Sequence, residues 1–134
     1  MDSGLSQHRI KMEALEEVLS QYEQAELKVE HHFAHGTYTR VLYLPAGTIL
    51  TGKIHRHSCV NIVMQGRIAV LTDEGDKEIV APYVFVSGAG VKKAGAVLED
   101  TIWVNVHPWE GEENLDLIEQ KLIAPSYEAL ECLG

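Results

Sequence analysis

The sequence predicts an all-β fold, built as an antiparallel sandwich or barrel, and three observations support this prediction. Between about residues 27 and 107, short apolar segments alternate with turn signals at intervals of roughly 8–12 residues. The segments 45–47 (Pro-Ala-Gly) and 73–76 (Asp-Glu-Gly-Asp) are rich in residues that favour tight chain reversal. No interval between the apolar segments is long enough for the crossover connection that a parallel sheet requires.

The predicted strands follow from runs in which apolar and polar residues alternate. They cover residues 27–34, 38–44, 49–57, 59–65, 68–72, 78–81, 83–86, 91–97 and 101–107. We therefore predict a β-barrel at residues 27–107, within a single domain that spans residues 1–134. A chain of 134 residues suits one hydrophobic core.

An N-terminal amphipathic helix is predicted within residues 1–25, with Ser3 or Ser6 as its cap. Its apolar residues recur at helical spacing and form one stripe: Leu5, Met12, Leu15, Val18, Leu19 and Tyr22. The stripe either packs against its own domain or forms the contact of a homodimer or higher homo-oligomer. The second interpretation arises because a small barrel has limited outer surface to cover such a stripe.

A short C-terminal helical tail is predicted at residues 114–130, where the period of the apolar residues changes again. Asn114 suits its N-cap, and Pro125 is expected to end the helix. The apolar residues that recur at helical spacing are Leu115, Ile118 and Leu122.

Composition and charge exclude several classes of partner. The net charge is −9, with 20 acidic residues against 11 Lys and Arg, so phosphate backbones and anionic membranes would be repelled. Cys59 and Cys132 match no zinc-site spacing and are expected to be reduced thiols. No signal peptide and no apolar run of the roughly 20 residues that a membrane helix needs is visible. We therefore expect a cytoplasmic protein that binds neither nucleic acid nor membrane.

His55 and His57 have the most informative spacing in the sequence. Side chains alternate along a strand, so in an unbroken strand both imidazoles point to one face, where Cys59 and Asn61 join them. Two imidazoles placed in this way can reach one metal ion, and their softness suits zinc, iron, nickel, copper or manganese rather than calcium. The alternative is a pair of hydrogen-bonded histidines in a polar barrel core.

This segment resembles the first motif of the cupin superfamily, which runs from a glycine through His-x-His and a glutamate to a later glycine. The matching residues are Gly47 or Gly52, His55, His57, Asn61 at the glutamate position, and Gly66. The second motif, Pro-x-Gly-x-x-His, is echoed at residues 88–93, where Lys93 takes the histidine position. The strand and turn plan matches from Leu27 to His107. The resemblance implies a cupin-type antiparallel jelly-roll β-barrel whose site lies in its interior.

The sequence is also similar to small single-domain cupins encoded by phages and prophages. The similarity runs through residues 38–40 (Tyr-Thr-Arg), 44–47 (Leu-Pro-Ala-Gly), 51–55 (Thr-Gly-Lys-Ile-His) and 100–103 (Asp-Thr-Ile-Trp). It implies an accessory or virion-associated role, in the host cytoplasm or in the virion.

Metal-binding cupins typically hold their ion with three histidines and a glutamate, and this chain keeps two of those four positions. The resemblance therefore implies either a single transition metal ion at His55 and His57 (zinc, iron, manganese or nickel) or no metal. His107 is a candidate third ligand, since it shares a face of the last predicted strand with Trp103 and an inward orientation would complete a three-histidine site. An inward, protonated Lys93 would repel the cation.

Three residues are candidate contacts for a small-molecule ligand: Asn61, Lys93 and Trp103. Asn61 offers a neutral amide oxygen, and Lys93 with Arg40 suits a carboxylate or phosphate. The simpler interpretations are a solvated Arg40 at a strand end and a Trp103 in the core. Cys59 is a further ligand, a reactive thiol or, more simply, a buried and inert thiol.

Three functions fit these residues. The first is a cupin that binds a metal or a small molecule around His55 and His57, with catalysis and catalytic residues undefined. The second is a metal-free anion pocket, with His57 as a general base and Lys93 as its electrostatic partner. The third is a structural or interaction module in an oligomer or particle, since jelly-roll barrels serve such roles too.

Overall fold

The computed structural model of the chain describes residues 4–19, 27–52, 54–72, 75–90 and 93–124. Helix α1 (Gly4–Leu19) precedes the strands, and helix α2 (Leu115–Leu122) follows all but the last of them. The strands are β1 (Lys28–Ala34), β2 (Thr37–Leu44), β3 (Ile49–Thr51), β4 (Ile54–His55), β5 (Cys59–Thr72), β6 (Gly75–Val80), β7 (Tyr83–Ser87), β8 (Ala94–Pro108) and β9 (Ile123–Ala124). Every pairing between them is antiparallel.

The two longest strands, β5 and β8, pair with each other and run through both halves of the barrel. The first half of β5 pairs with the second half of β8, and this region is flanked by β7 on one side and by β2 and β1 on the other. The second half of β5 pairs with the first half of β8, flanked by β6 and β3. The predicted all-β, antiparallel architecture with a helix at each end is thus confirmed.

At two places where the sequence predicted the end of one strand and the start of the next, the structure has a bend within one continuous strand. The segments 59–65 and 68–72 are both part of β5, and 91–97 and 101–107 fall largely within β8. The pairing register of β5 with β8 shifts between Val63 and Ile68, which lets one strand turn the corner between the two halves of the barrel. Gly66 lies in this bend with φ 94°, and a Cβ there would overlap the Asp100 carbonyl oxygen.

The predicted strand 49–57 is wrong in its continuity. The chain forms the short strands β3 and β4, and it bends at Arg56 and His57. The reason is a change of partner, since β3 pairs with β8 whereas β4 pairs with β9, at the far end of the chain. The alternation argument that placed His55 and His57 on one face therefore does not apply.

The interior divides into two packed clusters. The larger lies between the two halves of the barrel and contains Leu44, Val63, Ile68, Val70, Ile79, Val97 and Trp103. In the smaller cluster, Ile118 and Leu122 of α2 pack with Tyr38 and Trp109. Asn114 caps α2, as predicted, because its side-chain oxygen accepts a hydrogen bond from the Leu117 amide at 3.1 Å.

The N-terminal helix is confirmed as α1, and part of its apolar stripe is covered within the single chain. Met12 has no exposed surface and Leu15 is half-buried. This supports the interpretation that the stripe packs against its own domain. Ser6 lies inside the helix, whereas Ser3, Tyr22, Pro125 and Cys132 lie outside the described residues. Among the described helices, none is long and apolar enough to cross a membrane.

Candidate metal and ligand site in the barrel interior

Alternation along β5 and β8 places a set of polar side chains inside the barrel. Cys59 and Asn61 on β5, and Asn105 and His107 on β8, are all buried. Asn61 is directly opposite Asn105 in the ladder, so their side chains lie on the same, inward face. The sequence predicted that Trp103 and His107 share a face, and both are buried, as is Asn105 between them.

His55 reaches this interior through the C-terminal segment. In the short β4–β9 ladder His55 is opposite Ile123, and the Arg56 amide donates to the Leu122 carbonyl at 2.8 Å. The Gly90 amide donates to the His55 carbonyl at 2.9 Å. The backbone of His55 is therefore held by a strand that follows α2, which gives the C-terminal tail a positioning role that the sequence did not indicate.

His55, Cys59 and His107 form one group, with all of their potential ligand atoms within 4.8 Å of one another. Cys59 Sγ lies 3.9 Å from His107 Nε2. The rings of His55 and His107 meet edge to face, with centroids 5.0 Å apart. Tyr38 stacks on the His107 ring, and its hydroxyl contacts His31 Nδ1 at 2.6 Å. The His107 ring is thus packed against both Tyr38 and His55.

Burial controls the protonation of two members of this group. It lowers the pKa of His107 to about 4, with further contributions from the charges of Arg40 and His57. At neutral pH His107 is consequently an uncharged imidazole with a nitrogen lone pair to offer. Burial raises the pKa of the Cys59 thiol, while a hydrogen bond from Asn105 and the charge of Lys93 oppose that shift. Without a cation, Cys59 is therefore a thiol.

His57, the other histidine predicted as a metal ligand, lies apart from this group. Its side chain is exposed, at the bend that follows β4. The structure brings His55 and His107 together with Cys59, a residue that the sequence offered only as a secondary ligand. The sequence pattern that could have identified Cys59 is its i, i+2 spacing from Asn61, which places both side chains on one face of the strand. This spacing does not distinguish a metal ligand from a thiol buried in the core.

The amide of Asn61 is fully engaged by protein groups. Its oxygen accepts from Trp103 Nε1 at 3.1 Å and from Asn105 Nδ2 at 2.6 Å. Its nitrogen donates to the Cys59 carbonyl at 3.2 Å and to Ser87 Oγ at 3.0 Å. Because an indole nitrogen only donates, the orientation of the amide is fixed. Asn61 thus organises the site and offers no spare lone pair to a metal.

A cavity of about 520 Å³ adjoins this group inside the barrel. The predicted ligand contacts Asn61, Lys93 and Trp103 all line it, and so does His55. Arg40 also lines the cavity and is half-buried, because it lies in the middle of β2 rather than at a solvated strand end. Trp103 belongs to the core and lines the cavity as well, so both interpretations of this residue hold.

Solved cupin structures share this architecture. The cupin domain of Cnp3 from Schizosaccharomyces pombe is similar with a TM-score of 0.54 and 17% identity, over 77% of this chain and 71% of that chain. A cupin superfamily protein from Desulfitobacterium hafniense gives 0.51 and 13%, over 69% and 88%. A cupin-2 domain containing protein from Shewanella frigidimarina gives 0.50 and 14%, over 71% and 92%.

By sequence alone, no protein-family model matches the chain and no curated protein is significantly similar to it. The structural likeness, at identities this low, concerns the backbone arrangement and not the chemistry of the interior. The antiparallel barrel and its cupin neighbours together establish that this chain has the jelly-roll β-fold of the cupins.

Proposed function

We propose that the barrel interior binds one transition metal ion, zinc above all, through His55, Cys59 and His107, beside a cavity that admits a small molecule. The observation that carries this proposal is the convergence of three potential ligand atoms within 4.8 Å. Two imidazoles and a thiolate form a soft donor set, which favours zinc over manganese or calcium.

The Cys59 and His107 donors fit such an ion with little movement, and His55, whose ligand atom lies within 4.8 Å of both, would have to move closer to them. In a tetrahedral zinc site the nitrogen and sulfur ligands lie about 2.0–2.3 Å from the metal, which puts neighbouring donors roughly 3.5 Å apart. Cys59 Sγ and His107 Nε2 are 3.9 Å apart, so they need to approach by only a few tenths of an ångström. A cation also displaces the thiol proton, which overcomes the raised pKa of Cys59.

The residues around the three ligands have supporting roles. Asn105 donates to Cys59 Sγ at 3.6 Å and would stabilise a thiolate there. Tyr38 fixes the plane of the His107 ring by stacking. With His55, Cys59 and His107 as its three protein ligands, a zinc ion would have one coordination position for water or a small molecule and would supply Lewis-acid chemistry there. His55, which lines the cavity, would place that position beside it.

Elemental analysis of untagged protein, purified without chelator, tests this proposal. We expect close to one zinc per chain in the wild type, and loss of the metal in Cys59→Ala and in His107→Ala. His57→Ala is the matched control, because this exposed histidine lies near the group without belonging to it. Metal lost in His57→Ala but kept in Cys59→Ala would instead assign the ion to the His55 and His57 pair.

An exposed apolar sheet face supports a second element of the proposal, a homodimer. Val60 and Ile62 on β5 are directly opposite Val86 and Val84 on β7, so these side chains form one outer face together with Met64. Val84, Val86 and Met64 are at least 60% exposed. We propose that a second copy of the chain covers this face, because exposed apolar patches mark protein interfaces and burial of these five side chains removes no charged group from water.

Light scattering on the wild type and on Val84→Lys/Val86→Lys tests the homodimer. We expect twice the chain mass for the wild type and the single-chain mass for the variant. Val80→Lys, an equally exposed valine on β6, is the control that should remain dimeric. A variant that keeps the wild-type mass would disprove this interface. The cytoplasmic location stays a prediction from the sequence, and the phage context and virion location stay predictions from the resemblance.

A further inference from the structure

The cavity beside the metal-ligand group has two chemically different ends. Its polar end is lined by Arg40, His55, Asn61, Lys93 and Asn105, and its apolar end by Leu42, Leu44, Leu50, Ile68 and Val70. The lining changes from polar to apolar along β2, from Arg40 through Leu42 to Leu44. On the neighbouring strand β8 these residues are opposite Asn105, Trp103 and Thr101, respectively. Four residues of strand span about 14 Å, so a single small molecule can touch both ends.

We infer that this cavity binds an amphipathic monocarboxylate, with its carboxylate at Arg40 and its apolar tail among the leucines of β2 and the aliphatic residues of β5. This inference deepens the proposed function, since it concerns the same interior. The contact at Arg40 does not itself require a metal ion. A volume of about 520 Å³ lies in the range of pockets that hold small organic ligands.

Arg40 is the residue that selects an anion. Its side chain is half-buried in the cavity wall, and no residue in the described part of the chain gives it a hydrogen bond or a side-chain ion pair. A guanidinium removed from bulk water in this way has donors to offer, and its planar fork matches the two oxygens of a carboxylate. The neighbouring strands add no carboxylate, because Arg40 is flanked by His31 on β1 and Asn105 on β8.

The charge of the lining indicates a head group with a single negative charge. Among the described lining residues, Arg40 and Lys93 are the cationic side chains and Glu16 is the acidic one. Two positive charges and one negative charge leave a net charge of +1, with histidines counted as neutral. A carboxylate balances this charge, whereas a phosphate dianion would leave an excess of negative charge in a confined space.

The apolar end accounts for the tail. Leu44, Ile68 and Val70 are buried in the main core cluster and yet line the cavity, so a ligand there would touch closely packed aliphatic side chains. Ile49 lines the same cavity and is 59% exposed, which shows that the cavity reaches the surface beside β3.

Calorimetric titration with sodium octanoate, with the uncharged 1-octanol as its matched probe, tests this inference. We expect octanoate to bind one per chain and to bind at least about tenfold more weakly to Arg40→Gln, since a charge-assisted contact is lost. Binding of 1-octanol should be unchanged by the substitution. Arg67→Gln, at an exposed arginine paired with Glu78 and Glu99, is the control that should bind octanoate as the wild type does.

Two further measurements test the same inference independently. Arg40→Lys keeps the charge and should bind octanoate more tightly than Arg40→Gln, which guards against a folding defect in one variant. In Trp109→Phe, where Trp103 is the remaining tryptophan, 8-bromooctanoate should quench the fluorescence because its tail lies beside the Trp103 ring.

Failure of this inference is distinguishable from failure of the metal proposal. Octanoate that binds Arg40→Gln as tightly as the wild type, or no better than 1-octanol, would overturn the carboxylate assignment while leaving the zinc content intact. Inorganic phosphate that binds through Arg40 where octanoate does not would overturn it as well. Conversely, wild-type protein that contains no zinc and still binds octanoate through Arg40 would count only against the metal site. Cys59→Ala, which we expect to lose zinc, should still bind octanoate.

Discussion

The two halves of strand β5 face the same barrel interior with opposite chemistry. The first half contributes Cys59 and Asn61, which belong to a buried polar network. The second half contributes Ile68 and Val70, which belong to the main apolar cluster. Both halves pair with the single strand β8, so the difference comes from the side chains and not from the backbone arrangement.

This contrast shows how a small barrel can keep a polar site inside. The apolar half supplies the burial that stabilises the fold. The polar half satisfies its donors and acceptors internally, through Asn61 and Asn105, and so avoids the cost of unpaired buried groups. We therefore expect substitutions in the apolar half to lower mainly the stability of the fold, and substitutions in the polar half to reduce mainly metal binding.

The largest effect is expected at the bend that joins the two halves. Gly66→Ala should lower the free energy of unfolding by about 4 kcal/mol, because Gly66 has φ 94° and a Cβ would overlap the Asp100 carbonyl oxygen. Gly75→Ala is the control, with φ 107° but open space around the added carbon, and should cost only about 1–2 kcal/mol. Urea denaturation of both variants measures this, and equal losses would refute a steric role for Gly66.

A smaller effect is expected in the apolar half. Ile68→Ala should cost about 3 kcal/mol of unfolding free energy, because the buried side chain leaves a void in the main cluster. Cys59→Ala in the polar half should cost about 1 kcal/mol in metal-free protein and yet abolish zinc binding. Denaturation followed by elemental analysis checks both properties. Loss of zinc in folded Ile68→Ala would show that the two halves are not separable.

An effect smaller than that of Ile68→Ala is expected at the centre of the polar network. Asn61→Ala should cost about 2 kcal/mol, because Trp103 Nε1 and Asn105 Nδ2 lose the acceptor that they share. Gln65→Ala removes an exposed amide that donates to the Asp100 carbonyl at 3.4 Å, and should change stability by less than about 0.5 kcal/mol. Equal effects of the two substitutions in thermal unfolding would argue against a network held by Asn61.

Local patterns in the sequence predicted the elements of the fold well. The alternation of apolar and polar residues predicted the strands, and the helical spacing of apolar residues after an Asn114 cap predicted α2. The same alternation predicted that Trp103 and His107 share a face, and the structure buries both of them. These predictions succeeded because side-chain direction in a regular strand or helix is a local property of the backbone.

The composition of the site depends on contacts that are distant in sequence. His55 enters the interior because β4 pairs with β9, and Cys59 and His107 meet because two long strands pair across the barrel. His57 lies outside the group because the chain bends there. The bend follows a change of pairing partner, since β3 pairs with β8 whereas β4 pairs with β9.

The sequence by itself determined the antiparallel strands, the helix at each end and the presence of a polar strip within an apolar barrel. Each of these features follows from residue periodicity over a few turns or pleats. Only the tertiary structure decided which histidines meet Cys59, and that Arg40 lines the cavity. The physical reason is that register, bends and strand partners are set by the packing of the whole chain, which no local pattern encodes.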